Sequence, residues 1–201
     1  FHKIIAVTFT NKAANEIKER VNRDLGQFID SPWIGTFHSI FAKFLRKHSS
    51  LIGLKNNFNI LDTDDQKKLI KQVINFCKFE NDINESIYLN EIQNLKDQKI
   101  LPSQKSLITK YSSIENIIDV YELYQQRLLE INAVDFGDIL LHSYQILFTN
   151  EDIRQLYAKN IEHILIDEFQ DTNHIQYELI KLLLNSNRNL FCVGDDDQSI
   201  Y

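Results

Sequence analysis

The chain has 201 residues, of which 43% are hydrophobic and 25% are charged, and its formal net charge is −6. This composition is typical of a folded globular protein and argues against a disordered chain. No apolar run approaches the roughly 20 residues of a membrane-spanning helix, and the N-terminus has no signal-like segment, so we predict a cytoplasmic protein. Cys77 and Cys192 lack CxxC or Cys/His spacing, which predicts buried, reduced thiols instead of a zinc site or disulfide.

The charge is unevenly distributed. Residues 1–48 contain eight Lys or Arg against four acidic residues, a local balance of +4, which leaves −10 for the rest. A basic segment on an acidic protein permits local binding to phosphates, although a solvated surface explains such a bias equally well. The chain contains no methionine, an apolar run begins at Ile4, and a dense polar motif ends at Tyr201. We therefore expect both ends to be truncated.

The first elements alternate between strand and helix. Ile4 to Phe9 is an apolar, β-branched run that predicts a strand buried on both faces of a parallel sheet. A helix capped by Thr10 or Asn11 should follow. After Ser31-Pro32, residues 33–37 predict a second strand that leads into a second helix through Phe44 and Leu45.

Helical periodicity dominates from about residue 49. Thr63 to Gln66 fits a capping box at the start of a helix. Further helices are predicted over 86–97, 103–110, 114–131 and 135–148. Strands are then predicted at 161–166 and 189–193, with a helix at 175–184 between them. The pattern predicts an α/β fold whose parallel sheet is interrupted by an all-helical insertion.

Two acidic clusters follow predicted strands. Asp167 and Glu168 end the run Ile164-Leu165-Ile166, at the sheet edge where open α/β folds bind ligands. Asp167 could hold Mg²⁺ on nucleotide phosphates, and Glu168 could orient or deprotonate the attacking water. A solvated acidic turn is the alternative. The second cluster, Gly194 to Tyr201, follows the next predicted strand. In it, Gln198 suits contact with a terminal phosphate, and Tyr201 suits stacking on a base. A Ca²⁺-like acidic loop or a capped turn is the alternative for this cluster.

Two further clusters combine polar groups with an aromatic ring. Thr8 to Ala14 opens a helix at a strand end, which suits a phosphate backbone, and Phe9 could stack on an unpaired base. Gly35 to Ser39 repeats this arrangement one β-to-α passage later. Core packing is the alternative for Phe9, and a structural hydrogen bond is the alternative for His38.

Together the clusters resemble the UvrD/PcrA/Rep helicases of superfamily 1. AVTFTNKAA is similar to their motif Ia, GTFHS to motif Ib, ILIDEFQDTN to motif II and VGDDDQSIY to motif III. The order and separation of the motifs also fit, as do the stretches Phe58 to Asp62 and Val134 to Phe136. The resemblance covers essentially the whole chain.

The resemblance implies a RecA-like domain 1A formed by residues 1–38 and 145–201, with a helical insertion domain 1B at residues 39–144. It implies an ATP-dependent, 3′ to 5′ motor on single-stranded DNA and at junctions with duplex, with repair or replication proteins as partners. The implied catalytic residues are Asp167, as the Mg²⁺ ligand, Glu168 and Gln198. The implied nucleotide contacts are Asp167, Gln170 and Gln198. The implied DNA contacts are Phe9, Thr10, Asn11, Thr36, Phe37, His38 and Tyr201.

The sequence also departs from the family pattern. A P-loop, GxxxxGK[ST], should precede the first strand, but no glycine in the chain is followed by Lys-Ser or Lys-Thr. The second RecA-like domain is missing as well, so we expect the chain by itself to be inactive. Two alternatives are the helicase part of a RecB/AddA-type helicase-nuclease and a non-catalytic module for DNA binding or protein docking.

Overall fold

The described part of the chain, in a computed structural model, comprises residues 3–26, 33–77, 84–184, 189–195 and 197. The predictions for Gln198 and Tyr201 lie outside it. The chain divides into two compact units, one formed by Phe1–Leu45 and Ser143–Tyr201 and the other by Arg46–His142. Among the described residues, no helix is long and apolar enough to cross a bilayer.

Strands and helices alternate at both ends of the described chain. The strands are β1 (Ile4–Thr8), β2 (Ile34–Thr36), β3 (Asn59–Ile60), β4 (Ala133–Val134), β5 (His163–Ile166) and β6 (Leu190–Cys192). The helices are α1 (Asn11–Leu25), α2 (Phe37–His48), α3 (Thr63–Cys77), α4 (Glu85–Asp97), α5 (Lys105–Tyr111), α6 (Ile117–Glu130), α7 (Phe136–Thr149), α8 (Glu151–Asn160) and α9 (His174–Leu183). Short 3₁₀ turns span Ser49–Ile52 and Phe169–Asp171.

The sheet of the first unit has the order β2-β1-β5-β6, and all three pairings are parallel. Ile5 and Val7 of β1 are buried, as the uninterrupted apolar run predicts for a strand covered on both faces. Ile5 lies opposite Ile164, and Ile164 lies opposite Leu190. The predicted α/β fold with a parallel sheet is therefore confirmed. Because the strands are parallel, their carboxyl ends share one edge.

The helix ends of this unit use local capping. The Thr10 hydroxyl accepts a hydrogen bond from the backbone N–H of Ala13, so Thr10, one of the two predicted candidates, is the N-cap of α1. Asn173 and Gln176 form a reciprocal capping box that starts α9. The prediction that both thiols are buried is wrong, because Cys77 is only half-buried and Cys192 is exposed. Cys192 lies on β6, whose three residues are all exposed.

Helix α8 is absent from the sequence prediction. Its sequence is mostly polar, and Tyr157 is its buried residue, so the helix has little apolar periodicity to detect. The Tyr157 ring packs edge-on against Phe44 and Trp33, with ring centroids 5.1 Å and 5.6 Å apart. One aromatic side chain thus anchors a helix that its own pattern does not predict.

The second unit is mainly helical, and its core lies between α3, α4 and α6. The prediction of an all-helical insertion is wrong in one detail, because β3 and β4 pair in parallel, with Asn59 opposite Ala133. Each strand has only two residues, too few for an alternating pattern to appear in the sequence. The N-terminal cap of α3 is also shifted from Thr63, since the Asp62 carboxylate accepts the backbone N–H of Asp65.

A buried ionic cluster joins α4 to the beginning of α7 in this unit. The Lys96 ammonium lies close to the carboxylates of Asp135 and Asp138, and all three side chains are almost completely buried. The Tyr124 hydroxyl donates a hydrogen bond to Asp135, and the Gln125 amide donates one to Asp138. A buried lysine is therefore compensated by two carboxylates that are themselves hydrogen-bonded.

Candidate functional site

The four polar clusters identified in the sequence follow strands that end at the same edge of the sheet. Thr8 lies opposite Thr36, Val7 opposite Ile166, and Ile166 opposite Cys192. The backbone pairing continues past the strand ends, because the Asp167 N–H donates to the Val7 carbonyl at 2.9 Å. This edge is where open parallel sheets bind ligands.

The adjacent carboxylates differ in exposure. Asp167 is half-buried at the end of β5, whereas Glu168 is exposed. The backbone of Glu168 has φ 54° and ψ 50°, a left-handed conformation that is uncommon for a residue with a side chain. The chain turns sharply here into the 3₁₀ turn Phe169–Asp171.

The donor chemistry at this edge fits Mg²⁺ held mainly by phosphate and water. Within the described ranges, no group of three or more His, Cys, Asp or Glu side chains could form a metal site of its own. Mg²⁺ bound to nucleotide commonly takes only one or two carboxylates from the protein. A half-buried Asp167 at the strand end satisfies that modest requirement.

Gln170 connects the turn after β5 to the turn after β6. Its side-chain amide donates to the Glu168 carboxylate at 2.6 Å, and its carbonyl oxygen accepts the backbone N–H of Asp195 at 3.1 Å. A second bond joins the same two turns, from the Phe169 N–H to the Val193 carbonyl at 2.9 Å. Two of the predicted site residues, Glu168 and Gln170, are thus in direct contact.

Gly194 permits this close approach of the two turns. A Cβ atom at this position would lie 2.6 Å from the Gln170 side-chain oxygen and 3.3 Å from the backbone nitrogens of Phe169 and Gln170. The distance of 2.6 Å is too short for a real Cβ contact and those of 3.3 Å are tight, so a side chain here would displace the Gln170 side chain or the turn. The sequence motif that begins at Gly194 does not by itself predict this packing role.

The residues after β1 present an aromatic ring beside a helix N-terminus. Phe9 is 56% exposed, which excludes the alternative that it belongs to the core. Thr10 and Asn11 are also exposed at the start of α1. Because the Thr10 hydroxyl already caps the helix, its lone pairs are partly used within the protein. The arrangement offers a stacking surface next to polar groups.

The residues at the end of β2 and the start of α2 are more enclosed. Phe37 is only 7% exposed, so its ring packs in the core and is not available to stack on a base. The predicted DNA contact at this position would have to use the backbone of Phe37. Thr36 is half-buried, and its hydroxyl accepts the backbone N–H of Ser39. His38 is half-buried too, and burial lowers the pKa of its imidazole.

Sequence patterns missed several functional details of this edge. Neither the left-handed backbone of Glu168 nor the bridge through Gln170 has a signature in the residue types. The capping box of α9 does have a sequence signature, because Asn173-His-Ile-Gln176 matches the capping pattern with Asn at the first position. The predictions for Gln198 and Tyr201 remain untested, since both lie outside the described residues.

Comparison with known proteins gives a consistent family. Residues 1–201 match the model of the UvrD/REP helicase N-terminal domain. The chain is similar to DNA helicase II of Rickettsia typhi, with 41% identity over 208 residues that cover 100% of this chain and 31% of that protein. It is 39% identical to the probable DNA helicase II homolog of Mycoplasma capricolum, covering 99% of this chain and 28% of the relative.

A third relative is the ATP-dependent DNA helicase PcrA of Staphylococcus aureus. It is 38% identical over 206 residues, which cover 100% of this chain and 28% of that protein. The chain therefore spans about a third of the length of the curated relatives that it matches.

Proposed function

Because the chain belongs to the UvrD/REP helicase N-terminal domain family, we propose that it supplies part of the motor of an ATP-dependent DNA helicase. The observation that carries this proposal is the placement of the polar clusters after β1, β2, β5 and β6 at one sheet edge. Carboxylates follow β5 there, and an exposed aromatic ring follows β1. The sites that we propose for phosphates and for a nucleic-acid strand would thus share one edge, as coupling between them requires.

We assign residues 1–38 and 145–201 to the RecA-like domain 1A, and residues 39–144 to the insertion domain 1B. The compact units divide between Leu45 and Arg46 and between His142 and Ser143, close to these proposed boundaries. The differences fall inside α2 and α7, which are continuous helices. A boundary within a helix cannot be located from sequence composition.

For ATP hydrolysis we assign Asp167 to Mg²⁺, Glu168 to the attacking water and Gln198 to a contact with the nucleotide. The sequence-based assignment of Gln170 as a nucleotide contact stays a prediction. Bound Mg²⁺ would neutralise charge on the transferring phosphate. Glu168 is exposed at the end of β5 and can reach a water molecule outside the sheet. Since the chain contains no GxxxxGK[ST] sequence, we expect no ATP hydrolysis by these 201 residues alone.

For DNA we propose that a single strand crosses the ends of β1 and β2, moving in the 3′ to 5′ direction relative to the protein. Phe9 supports this assignment best, because its exposed ring can stack on a base of any sequence. Thr10, Asn11, Thr36 and His38 would contribute polar contacts, Phe37 its backbone, and Tyr201 a second ring. Junctions between single-stranded and duplex DNA, and repair or replication proteins, are the proposed partners.

Glu168→Gln in the full-length protein that contains this chain tests the proposed function. We expect DNA-stimulated ATP hydrolysis to fall on the order of 10²- to 10⁴-fold, since a general base is lost, while nucleotide binding persists. The measurements are steady-state ATPase with and without single-stranded DNA and equilibrium binding of a fluorescent nucleotide. Wild-type turnover in this variant would refute the role of Glu168.

Glu162→Gln is a matched control. It makes the same charge change just before β5, on a half-buried residue that pairs with Lys3 beyond the opposite end of the strand. We expect its ATPase rate to equal that of the wild type. If the wild-type protein itself shows no DNA-stimulated ATPase, the motor assignment fails and a non-catalytic DNA-binding or docking module becomes the better interpretation.

A further inference from the structure

The Glu168 side chain is held by a residue that also contacts the turn after β6. Gln170 donates from Nε2 to Glu168 Oε2 at 2.6 Å, while its Oε1 accepts the Asp195 N–H at 3.1 Å. The Asp195 carboxylate in turn accepts the backbone N–H of Asp197 at 3.0 Å. A continuous series of hydrogen bonds therefore runs from Glu168 to the segment that leads, in sequence, to Gln198.

This bridge restricts the orientation of an exposed side chain. Glu168 is exposed and has three rotatable bonds, so a charge-assisted hydrogen bond is an effective way to select one orientation. The half-buried Gln170 is itself fixed at both ends of its amide. Its oxygen and one of its N–H groups are engaged within the protein, so one N–H and one oxygen lone pair of the amide remain for other contacts.

Several contacts hold the turn after β5 against the turn after β6. The bond from the Phe169 N–H to the Val193 carbonyl lies beside the Gln170 bridge, and Gly194 provides the space that the Gln170 side chain occupies. A displacement of the turn after β6 would therefore move the Gln170 oxygen, and with it the amide that holds Glu168.

We propose that Gln170 is a positioning residue, which sets the orientation of Glu168 according to the position of the turn at Gly194 and Asp195. This inference rests on the proposed function, because it requires Glu168 to act on the water that attacks ATP. It replaces the sequence-based assignment of Gln170 as a nucleotide contact. It also gives the segment after β6 a route to the hydrolytic carboxylate through the protein itself.

The test uses the full-length protein with Gln170→Ala and, independently, Gly194→Ala. Gln170→Ala removes both hydrogen bonds of the bridge. Gly194→Ala keeps the Gln170 side chain in the protein but crowds its oxygen. We expect each variant to lower the DNA-stimulated kcat on the order of 10- to 100-fold, as misplacement of a reacting group does. The affinity for a fluorescent nucleotide should change less than about 2-fold, because the bridge makes no contact with nucleotide in this proposal.

Gln155→Ala is the matched control, because Gln155 makes the same kind of amide bond, to Glu151 at 2.9 Å, on the exposed surface of α8. Its kcat should equal that of the wild type. The double variant Gln170→Ala/Gly194→Ala should be no slower than the more impaired single variant, since both act on one bridge. Additive losses would overturn the proposal.

The outcomes separate this inference from the proposed function. An active wild type with unchanged kcat in Gln170→Ala refutes the positioning role and leaves the motor assignment intact. A loss of nucleotide affinity parallel to the loss of kcat also refutes it, because Gln170 would then bind nucleotide directly. Thermal unfolding identifies a variant that fails to fold, and in that case the other single variant decides. An inactive wild type refutes the proposed function itself.

Discussion

Lys96 and Asp135 form an ion pair, 2.6 Å between ammonium and carboxylate, in a site where the lysine side chain has no solvent exposure. Asp138 lies 2.7 Å from the same ammonium. Burial tends to lower the pKa of Lys96, but the two carboxylates outweigh burial and raise it. The ammonium therefore stays charged in the folded protein. Burial and the neighbouring Asp138 raise the pKa of Asp135, whereas Lys96 outweighs burial and lowers the pKa of Asp138.

Lys96→Met should destabilise the protein by roughly 3–5 kcal/mol, because it leaves two carboxylates buried without their cation. The measurement is urea unfolding followed by far-ultraviolet circular dichroism. Lys105→Met is the control, since Lys105 pairs with Glu122 at an exposed site and its loss should cost less than about 1 kcal/mol. Equal effects of the two substitutions would contradict the role given to the buried cluster.

Substitutions at Glu168 should reveal the strain in its backbone. The backbone of Glu168 has a φ of 54°, which glycine adopts without a steric penalty. The variant Glu168→Gly is therefore expected to be more stable than Glu168→Ala by about 1 kcal/mol. Unfolding followed by the fluorescence of Trp33, the single tryptophan, measures the difference. Trp33 belongs to the same compact unit as Glu168.

The same pair of substitutions at Glu19 should give the opposite sign. Glu19 is exposed in the interior of α1, where alanine is favoured over glycine by roughly 1 kcal/mol. An alanine variant that is the more stable one at both positions would show that Glu168 is unstrained.

Phe9→Ala in the full-length protein should weaken binding to single-stranded DNA roughly 10-fold, the loss expected for one stacked base. Fluorescence anisotropy with a labelled strand, at low and moderate salt, measures the affinity. The thermal stability should hardly change, because the ring is already mostly exposed. Phe148→Ala, which removes a ring that is 59% exposed, should leave DNA affinity unaltered.

In the cluster Gly35 to Ser39, Phe37→Ala tests whether the Phe37 ring packs in the core or contacts DNA. Removing this buried ring should lower stability by roughly 3–5 kcal/mol. If Phe37→Ala folds as stably as the wild type and binds DNA poorly, the ring contacts DNA and the burial seen here does not describe the functional state.

The strand ends were predictable from sequence because β1 and β5 are short apolar runs followed at once by polar motifs. That pattern determines both the parallel sheet and the shared edge, so the placement of Asp167 and Thr10 follows from it. It cannot determine side-chain contacts within the edge. The bridge by Gln170 depends on the spacing of two turns, and the burial of Phe37 depends on the helix that begins at that residue. Both are properties of three-dimensional packing.

The pairing of β1 with β5 has a consequence for the order of events during synthesis. Ile5 of β1 can pair with Ile164 of β5 only after Ile164 has been translated, which is more than 150 residues later. At about 5–20 residues per second, this delay is on the order of 10 to 30 s. Residues 46–142 are contiguous and complete before β5 exists, so this unit can fold while β1 has only β2 as a partner in the sheet. The ribosome therefore delivers the carboxylates proposed for catalysis together with β5, the strand that lies between β1 and β6 in the sheet.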